Sequence, residues 1–234
     1  MALATLATAA PVRDRCMPVD EAFASMLPDA GLVRGRVAGC VGPAAMSLAL
    51  ALASRPGATG SWIATVGVPM LGVEAADELG VPLDRLVAID ADGGPSAWAE
   101  RVGVAADGFD LIITRPPPGA ARTERKVRQR LQARGVVLLA VDPVAPSMSC
   151  DLEFSTSRVD WVGLGQGFGA LRARRATVRL GGRRIPRPVE HELWLPGPGG
   201  GVSVVDSADP VDHANRSERA EPVASVGKAS DRHV

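Results

Sequence analysis

The chain has 234 residues, of which 46% are hydrophobic and 22% charged, and its formal net charge is zero. That length suits one domain of ordinary size with a tail, and it is long enough to bury a substantial core. The longest apolar stretch, AAMSLALALA, is too short for a membrane span of about 20 residues. The first residues lack the basic start and apolar run of a secretory signal, so we expect a cytoplasmic protein without a membrane partner.

The charge is unevenly distributed along the chain. Residues 1–114 carry seven Arg and 13 Asp or Glu, a balance of −6, whereas residues 115–187 carry 15 Arg or Lys and five Asp or Glu, a balance of +10. Such polarity indicates an acidic partner for the second half, either nucleic acid or an acidic protein surface. The alternative is that an arginine-rich composition places these side chains on solvated faces that bind nothing.

In the first two thirds of the chain, short apolar runs alternate with helical segments. The predicted strands are RVAGCV, SWIATVGV, RLVAID, FDLIIT and VVLLAVD, and the predicted helices between them are AMSLALALAS, GVEAADELGV, SAWAERVGVAAD and ARTERKVRQRLQARG. Continuous apolar strands that alternate with helices are typical of an α/β domain with a mostly parallel sheet covered by helices.

The pattern changes near residue 151. The segments DLEFSTSRVDWVGL, ALRARRATVRL and VEHELWLP alternate apolar and polar residues around Gly-rich turns, which predicts antiparallel strands added at the edge of the sheet. After LPGPGGG no periodicity remains, so we expect a disordered tail. The predicted organisation is an N-terminal segment over 1–16, one domain over 17–198 and the tail over 199–234.

The stretch GCVGPAAMSLALALA has the strand–turn–helix order of a phosphate-binding loop but lacks its chemistry. Such a loop, GxxxxGK[ST], needs a Lys for the phosphates and a hydroxyl for magnesium. If Gly39 is the first glycine, Ala44, Ala45 and Met46 take the Gly-Lys-Thr places, and if it is Gly42, Ser47, Leu48 and Ala49 take them. With Pro43, these positions form a vestigial nucleotide loop: Gly39, Gly42, Pro43, Ala44, Ala45, Met46 and Ser47.

A second position needed for nucleotide hydrolysis is also changed. A carboxylate that holds magnesium should close the strand FDLIIT, but Thr114 and Arg115 stand there, and Arg115 would repel the cation. The three cysteines show no CxxC spacing and the three histidines no cluster, which argues against a disulfide framework or a metal site. We therefore expect no catalysis, no cofactor and no metal.

In serial order these segments resemble the RecA core. MPVDEAFASMLPDAGLVRGRVAGCVGPAAMSLALALA follows that family's helix, G-L-P-x-G-R-I-V-E segment and loop, with Gly31, Leu32, Gly35 and Arg36 in step and a loop about three residues shorter. RLVAIDAD resembles the strand ending in I-D-A-E, which implies that Asp92 stands where the family has its water-activating Glu. FDLIITR resembles D-V-I-V-V-D, with Arg115 in place of the last Asp. The resemblance covers residues 17–195 and implies a RecA-like fold.

A closer resemblance is to the actinobacterial ImuA-prime group of divergent RecA-like proteins. WVGLGQGFGALRARRATV and LWLPGPGG fit that group's W-x-G-L-G-x-G-x-G-x-L-R-A-R-R-x-T-V and L-W-L-P-G-P-x-G. The resemblance implies an accessory role in damage-induced (SOS) mutagenesis by error-prone translesion synthesis. It implies as partners an inactive Y-family polymerase homologue of the ImuB type and, through it, an error-prone replicative-type polymerase and the sliding clamp.

Two arginine-rich segments are candidate surfaces for DNA or a protein partner. Helical spacing puts Arg122, Lys126, Arg130 and Arg134 nearly in line, and the alternative is a solvated outer helix. RARRATVRLGGRR contributes Arg172, Arg174, Arg175, Arg179, Arg183 and Arg184. Aromatic residues are nearly absent from the second segment, which favours duplex backbone or protein over stacked bases.

The remaining motifs have structural interpretations. GLGQGFG opens no βαβ unit, so we interpret it as a Gly-rich hairpin or loop and not as a dinucleotide site. Asp90 and Asp92 follow a predicted strand and are expected to act in a helix cap or turn.

The sequence thus predicts a RecA-like scaffold with a lost nucleotide site that docks a polymerase homologue. Two alternatives stay open. One is a DNA-dependent ATPase or recombinase with a non-standard loop, whose activity would need Asp92. The other is a cell-division inhibitor of the SulA type.

Overall fold

The computed structural model describes residues 15–164, 169–183 and 185–206. The described residues up to Val204 form one unit, and Val205 and Asp206 belong to a second. No helix among these described residues is long and apolar enough to cross a membrane.

The elements follow the predicted order. The strands are β1 (Cys16–Pro18), β2 (Gly31–Val33), β3 (Val37–Val41), β4 (Ile63–Val66), β5 (Leu86–Ile89), β6 (Leu111–Thr114), β7 (Val137–Asp142), β8 (Leu152–Leu164), β9 (Gly169–Gly181), β10 (Val189–Trp194) and β11 (Ser203–Val204). The α-helices are α1 (Glu21–Ala24), α2 (Ala45–Ala58), α3 (Val73–Glu78), α4 (Gly94–Ala105) and α5 (Glu124–Arg134), and two 3-10 turns cover Leu83–Arg85 and Ala120–Arg122.

Nine strands form one mixed sheet in the order β11-β10-β9-β8-β3-β7-β6-β4-β5, and β1 pairs with β2 separately. The strands from β8 to β5 in this order are parallel, whereas β8, β9, β10 and β11 pair antiparallel. The predicted α/β fold with a mostly parallel sheet and antiparallel strands at its C-terminal edge is therefore confirmed. The strands on either side of GLGQGFG pair as far as Leu164 and Gly169, and residues 165–168 lie outside the described residues.

The middle of helix α2 is covered on every side. Residues Leu48 to Ala53 are consecutive and all buried, which a helix packed on one face does not show. The inner faces of β9 and β10 belong to the same apolar cluster as α2 and α3. Beyond β10, the N–H of Gly201 donates to the carbonyl of Glu78 at 2.7 Å. The antiparallel strands thus enclose the helix that follows the vestigial loop.

The described fold extends further than the predicted domain boundary. β11 lies within the predicted tail and pairs with β10, with Leu193 opposite Val204 and Trp194 opposite Ser203. The folded domain therefore continues past residue 198 to Val204. Local composition did not predict this, because the Gly-rich turn before β11 is closed by a contact with α3, far away in the sequence. The rest of the predicted tail, residues 207–234, lies outside the described residues.

Candidate functional site at the carboxyl edge of the parallel strands

Residues 42–45 of the vestigial nucleotide loop form a tight turn in which every available N–H group is already used. Only three residues, Gly42 to Ala44, separate β3 from α2. The N–H of Gly42 donates to the carbonyl of Asp142 at 3.2 Å, and that of Ala45 donates to the carbonyl of Gly42 at 3.1 Å. Pro43 has no N–H. A phosphate loop works through free backbone N–H groups, and residues 42–45 offer none.

Thr156 on β8 uses the last N–H of the turn. Its hydroxyl accepts from the N–H of Ala44 and donates to the carbonyl of Val41, both at 3.1 Å, and the side chain is buried. Gly42 has a φ of +101°, and a Cβ on it would lie 2.3 Å from the carbonyl oxygen of Thr156. The loop is therefore closed from the neighbouring strand, where a wider loop would leave space for phosphate.

Beside the loop lies an apolar cleft of about 290 Å³, which we call the loop cleft. Its lining comes from the carboxyl ends of β3, β4, β6 and β7, from the residues that follow them and from the first turn of α2. It consists of Gly42, Pro43, Ala45, Met46, Val68, Pro69, Met70, Arg115, Val141 and Pro143. Arg115 is the only charged side chain among these lining residues. The sequence identified Met46 and Arg115 as members of a lost nucleotide site, and the structure brings them to one surface.

A second cavity, of about 440 Å³, lies next to the loop cleft and shares Pro69 and Arg115 with it. Asp90 and Asp92 line this second cavity. The connections of β4 and β6 leave in opposite directions, to β5 on one side and β7 on the other. Such a switch point is where open α/β sheets bind ligands.

The structure does not bring Asp92 to the vestigial loop. Asp92 follows β5 at the edge of the sheet, and β7, β6 and β4 separate that strand from β3. Asp90 accepts from the N–H of Ala91 at 2.6 Å, a turn contact of the kind expected for this pair. The loop and Asp92 therefore line different cavities, and Arg115 is the predicted site residue that lies between them.

A family model named MT3502 N-terminal domain matches residues 25–146, just over half of the chain. The chain belongs to the MT3502 N-terminal domain family. No curated protein matches it. The matched region of this MT3502 N-terminal domain protein contains the loop, α2 and Arg115, and it ends before β8. Thr156 and the arginine-rich strands therefore lie outside the match.

The basic line predicted on α5 is shorter than expected and partly neutralised. Arg122 lies in the 3-10 turn before the helix. Arg130 and Arg134 both form ion pairs with Asp107, which follows α4, at 2.9 Å for Arg134. These hydrogen bonds and charges hold the pKa of Asp107 below its ordinary value, with Arg130 the largest cause. Lys126 stays exposed, so half of the predicted line contacts this protein's own carboxylate.

The arginines of β9 divide into internal and exposed groups. Arg174 lies over the ring of Trp161 at 4.9 Å, and its Nε donates to the carbonyl of Leu195 at 2.7 Å. Burial lowers its pKa, against the opposing charge of Glu78. Arg175 is ion-paired with Glu192 on β10. Arg174 thus connects the two motifs that resemble the ImuA-prime group, and these contacts lie within the fold.

The exposed group is Arg172, Arg179 and Arg183, while Arg184 lies outside the described residues. Glu190 stands opposite Arg179 in the β9–β10 register. Acidic side chains on β10 therefore reduce the positive charge of the surface that the sequence of β9 alone predicted.

Sequence reasoning missed the ionic cluster that joins α5 to the sheet. Arg128 forms 2.9 Å ion pairs with Glu124 and with Asp151, the residue before β8. Asp151 also accepts from the N–H of Val37 at 3.1 Å. Burial would raise the pKa of Asp151, but the N–H of Val37 and the guanidinium of Arg128 outweigh it and hold that pKa below its ordinary value. The i,i+4 spacing of Glu124 and Arg128 could have predicted their ion pair. No local pattern in the sequence indicates that Asp151 joins them.

Proposed function

We propose that this chain is a non-catalytic accessory protein of damage-induced mutagenesis that acts in the cytoplasm as a RecA-like scaffold. It docks an ImuB-type polymerase homologue, and through it an error-prone replicative-type polymerase and the sliding clamp. The partner assignment rests on the motif resemblance of residues 161–178 and 193–200 to the ImuA-prime group.

The observation that carries the non-catalytic part of the proposal is the closed loop. Each N–H of residues 42–45 has a partner within the protein, and Thr156 occupies the turn from the next strand. Arg115 stands at the strand end where a magnesium carboxylate would be needed. A nucleotide would have to displace Thr156, and it would meet no Lys in the loop and Arg115 at the end of β6.

The exposed arginines support a secondary contact with DNA. Arg172, Arg179 and Arg183 are exposed on or just after β9, and arginine is suited to bidentate phosphate contacts. Acidic neighbours on β10 limit this surface, so we propose that DNA binding is weak and salt-dependent and that the protein partner supplies the main affinity.

The test is co-purification of the full chain with the purified ImuB-type polymerase homologue. We expect a stable complex, and its absence would reject the proposal. A second form that ends after residue 206 keeps β11 and its pairing with β10, and it asks whether residues 207–234 contribute. An ATPase assay on wild type and Asp92→Asn covers the alternative function, because hydrolysis that depends on Asp92 would contradict a scaffold role.

A further inference from the structure

The loop cleft concentrates exposed apolar surface. Met70 and Val144 are 90% and 82% exposed, the highest values among the large apolar side chains described. Met70 lines the cleft and Val144 follows its lining residue Pro143. Exposing apolar side chains of this kind to water is unfavourable and favours association, so such a patch commonly marks a protein-binding site. Flexible, polarisable methionines suit it to peptide side chains.

The walls of the cleft are fixed before any partner arrives. Asp142 accepts from the N–H groups of Val144 at 3.0 Å and Ala145 at 3.2 Å and from the hydroxyl of Ser147. Burial opposes this charge, but these donors and the nearby Arg115 outweigh it and hold the pKa of Asp142 below its ordinary value. At the ends of β4 and β6, the indole of Trp98 donates to Thr114 at 2.7 Å, which in turn donates to the carbonyl of Val66. A preformed cleft loses little entropy on binding.

Arg115 is the charged group in the lining of the loop cleft. It is exposed, and it forms no hydrogen bond or salt bridge with any residue in the described part of the chain. The charge of Arg115 helps to lower the pKa of Asp142, but that carboxylate already accepts from three donors of its own loop. The guanidinium therefore keeps its donors for an external acceptor, and a carboxylate matches their planar geometry.

We propose that the loop cleft binds a peptide segment of the polymerase homologue in which a bulky apolar side chain neighbours an Asp or Glu. The apolar side chain enters between Met46, Met70 and Pro143, and the carboxylate pairs with Arg115. The surface that binds phosphate in a nucleotide-dependent relative would thus bind a protein segment. This inference rests on the proposed function, because it names the surface through which that complex forms.

The experiment measures the affinity of the full chain for the purified ImuB-type homologue by calorimetry, with two changes in the cleft and two matched controls. Met70→Asp puts a charge on the apolar wall, and Arg115→Glu reverses the charge at the rim. The control Val104→Asp changes a similarly exposed apolar residue on α4, and Arg125→Glu reverses an exposed charge on α5. All four positions are exposed, so each variant should unfold at the wild-type temperature.

We expect each cleft variant to weaken binding at least tenfold, the controls to stay within twofold of wild type, and Met70→Leu to retain binding. Equal binding by all variants, or equal loss in cleft and control variants, would overturn the inference and leave the scaffold function standing. If the wild-type chain does not bind the homologue, both proposals fail. Titration with ATP and magnesium is a further test. Nucleotide binding that Arg115→Glu abolishes would contradict the inference, because it would make the cleft a nucleotide site.

Discussion

The closure of the vestigial loop by Thr156 predicts a large stability difference between two small substitutions. Thr156→Val keeps the side-chain volume but removes the hydroxyl, which leaves the N–H of Ala44 and the carbonyl of Val41 without their 3.1 Å partner. An unsatisfied buried polar group costs about 1–3 kcal/mol. The extra methyl group offsets part of the loss, so we expect the free energy of unfolding to fall by about 3 kcal/mol.

Thr156→Ser is the matched control. It keeps both hydrogen bonds and loses one methyl group, which costs about 1 kcal/mol. In a fold of this size, 1 kcal/mol lowers the melting temperature by roughly 2–4 °C. We therefore expect a fall of roughly 6–12 °C for Thr156→Val and of roughly 2–4 °C for Thr156→Ser.

The assay is thermal unfolding followed by far-ultraviolet circular dichroism, with guanidinium unfolding as an independent measure of the free energy. Wild-type stability in Thr156→Val, or an equal loss in both variants, would refute the reasoning. The hydroxyl would then not be what closes the loop, and the argument against a phosphate cradle would lose its main support.

Three further outcomes are expected from the same structure. Gly42→Ala should lower the melting temperature far more than Gly60→Ala. Both glycines have a φ near +100°, but only at Gly42 would an added Cβ lie 2.3 Å from the carbonyl oxygen of Thr156. Equal melting temperatures would contradict this close approach. Arg174→Ala should lower the free energy of unfolding by about 2 kcal/mol by removing a ring contact and a hydrogen bond to the backbone, whereas the exposed neighbour Arg172→Ala should be neutral in the same melts. Asp151→Asn should be less stable than wild type at neutral pH, because the folded pKa of Asp151 is depressed. The carboxylate's contribution to stability is present above the unfolded pKa of about 4 and is lost as pH falls through the folded pKa. Free energies of unfolding from guanidinium titrations of the two proteins should therefore converge in acid, and a constant difference down to pH 2 would exclude this cause.

The sequence by itself determined the main helices and strands, and it showed which residues of a phosphate loop are absent. Apolar runs such as LIIT and VLLAVD are fully or almost fully buried strands because hydrophobic periodicity is a local property. The absence of Lys beside the loop and the presence of Arg115 at a strand end need no coordinates. The change near residue 151 from continuous to alternating patterns also predicted the switch to antiparallel pairing.

Only the tertiary structure decided what the polar side chains do. Thr156 follows the loop by more than a hundred residues and reaches it because β8 lies beside β3. Asp107 pairs with two arginines of α5 because α4 packs beside α5. Arg174 packs on Trp161 because β8 and β9 pair with each other. Strand order and helix contacts set which distant residues meet, and a one-dimensional pattern does not encode that order. The same physical reason explains the difference between a basic sequence and a basic surface: a charge that finds its partner within the fold is no longer offered to a ligand.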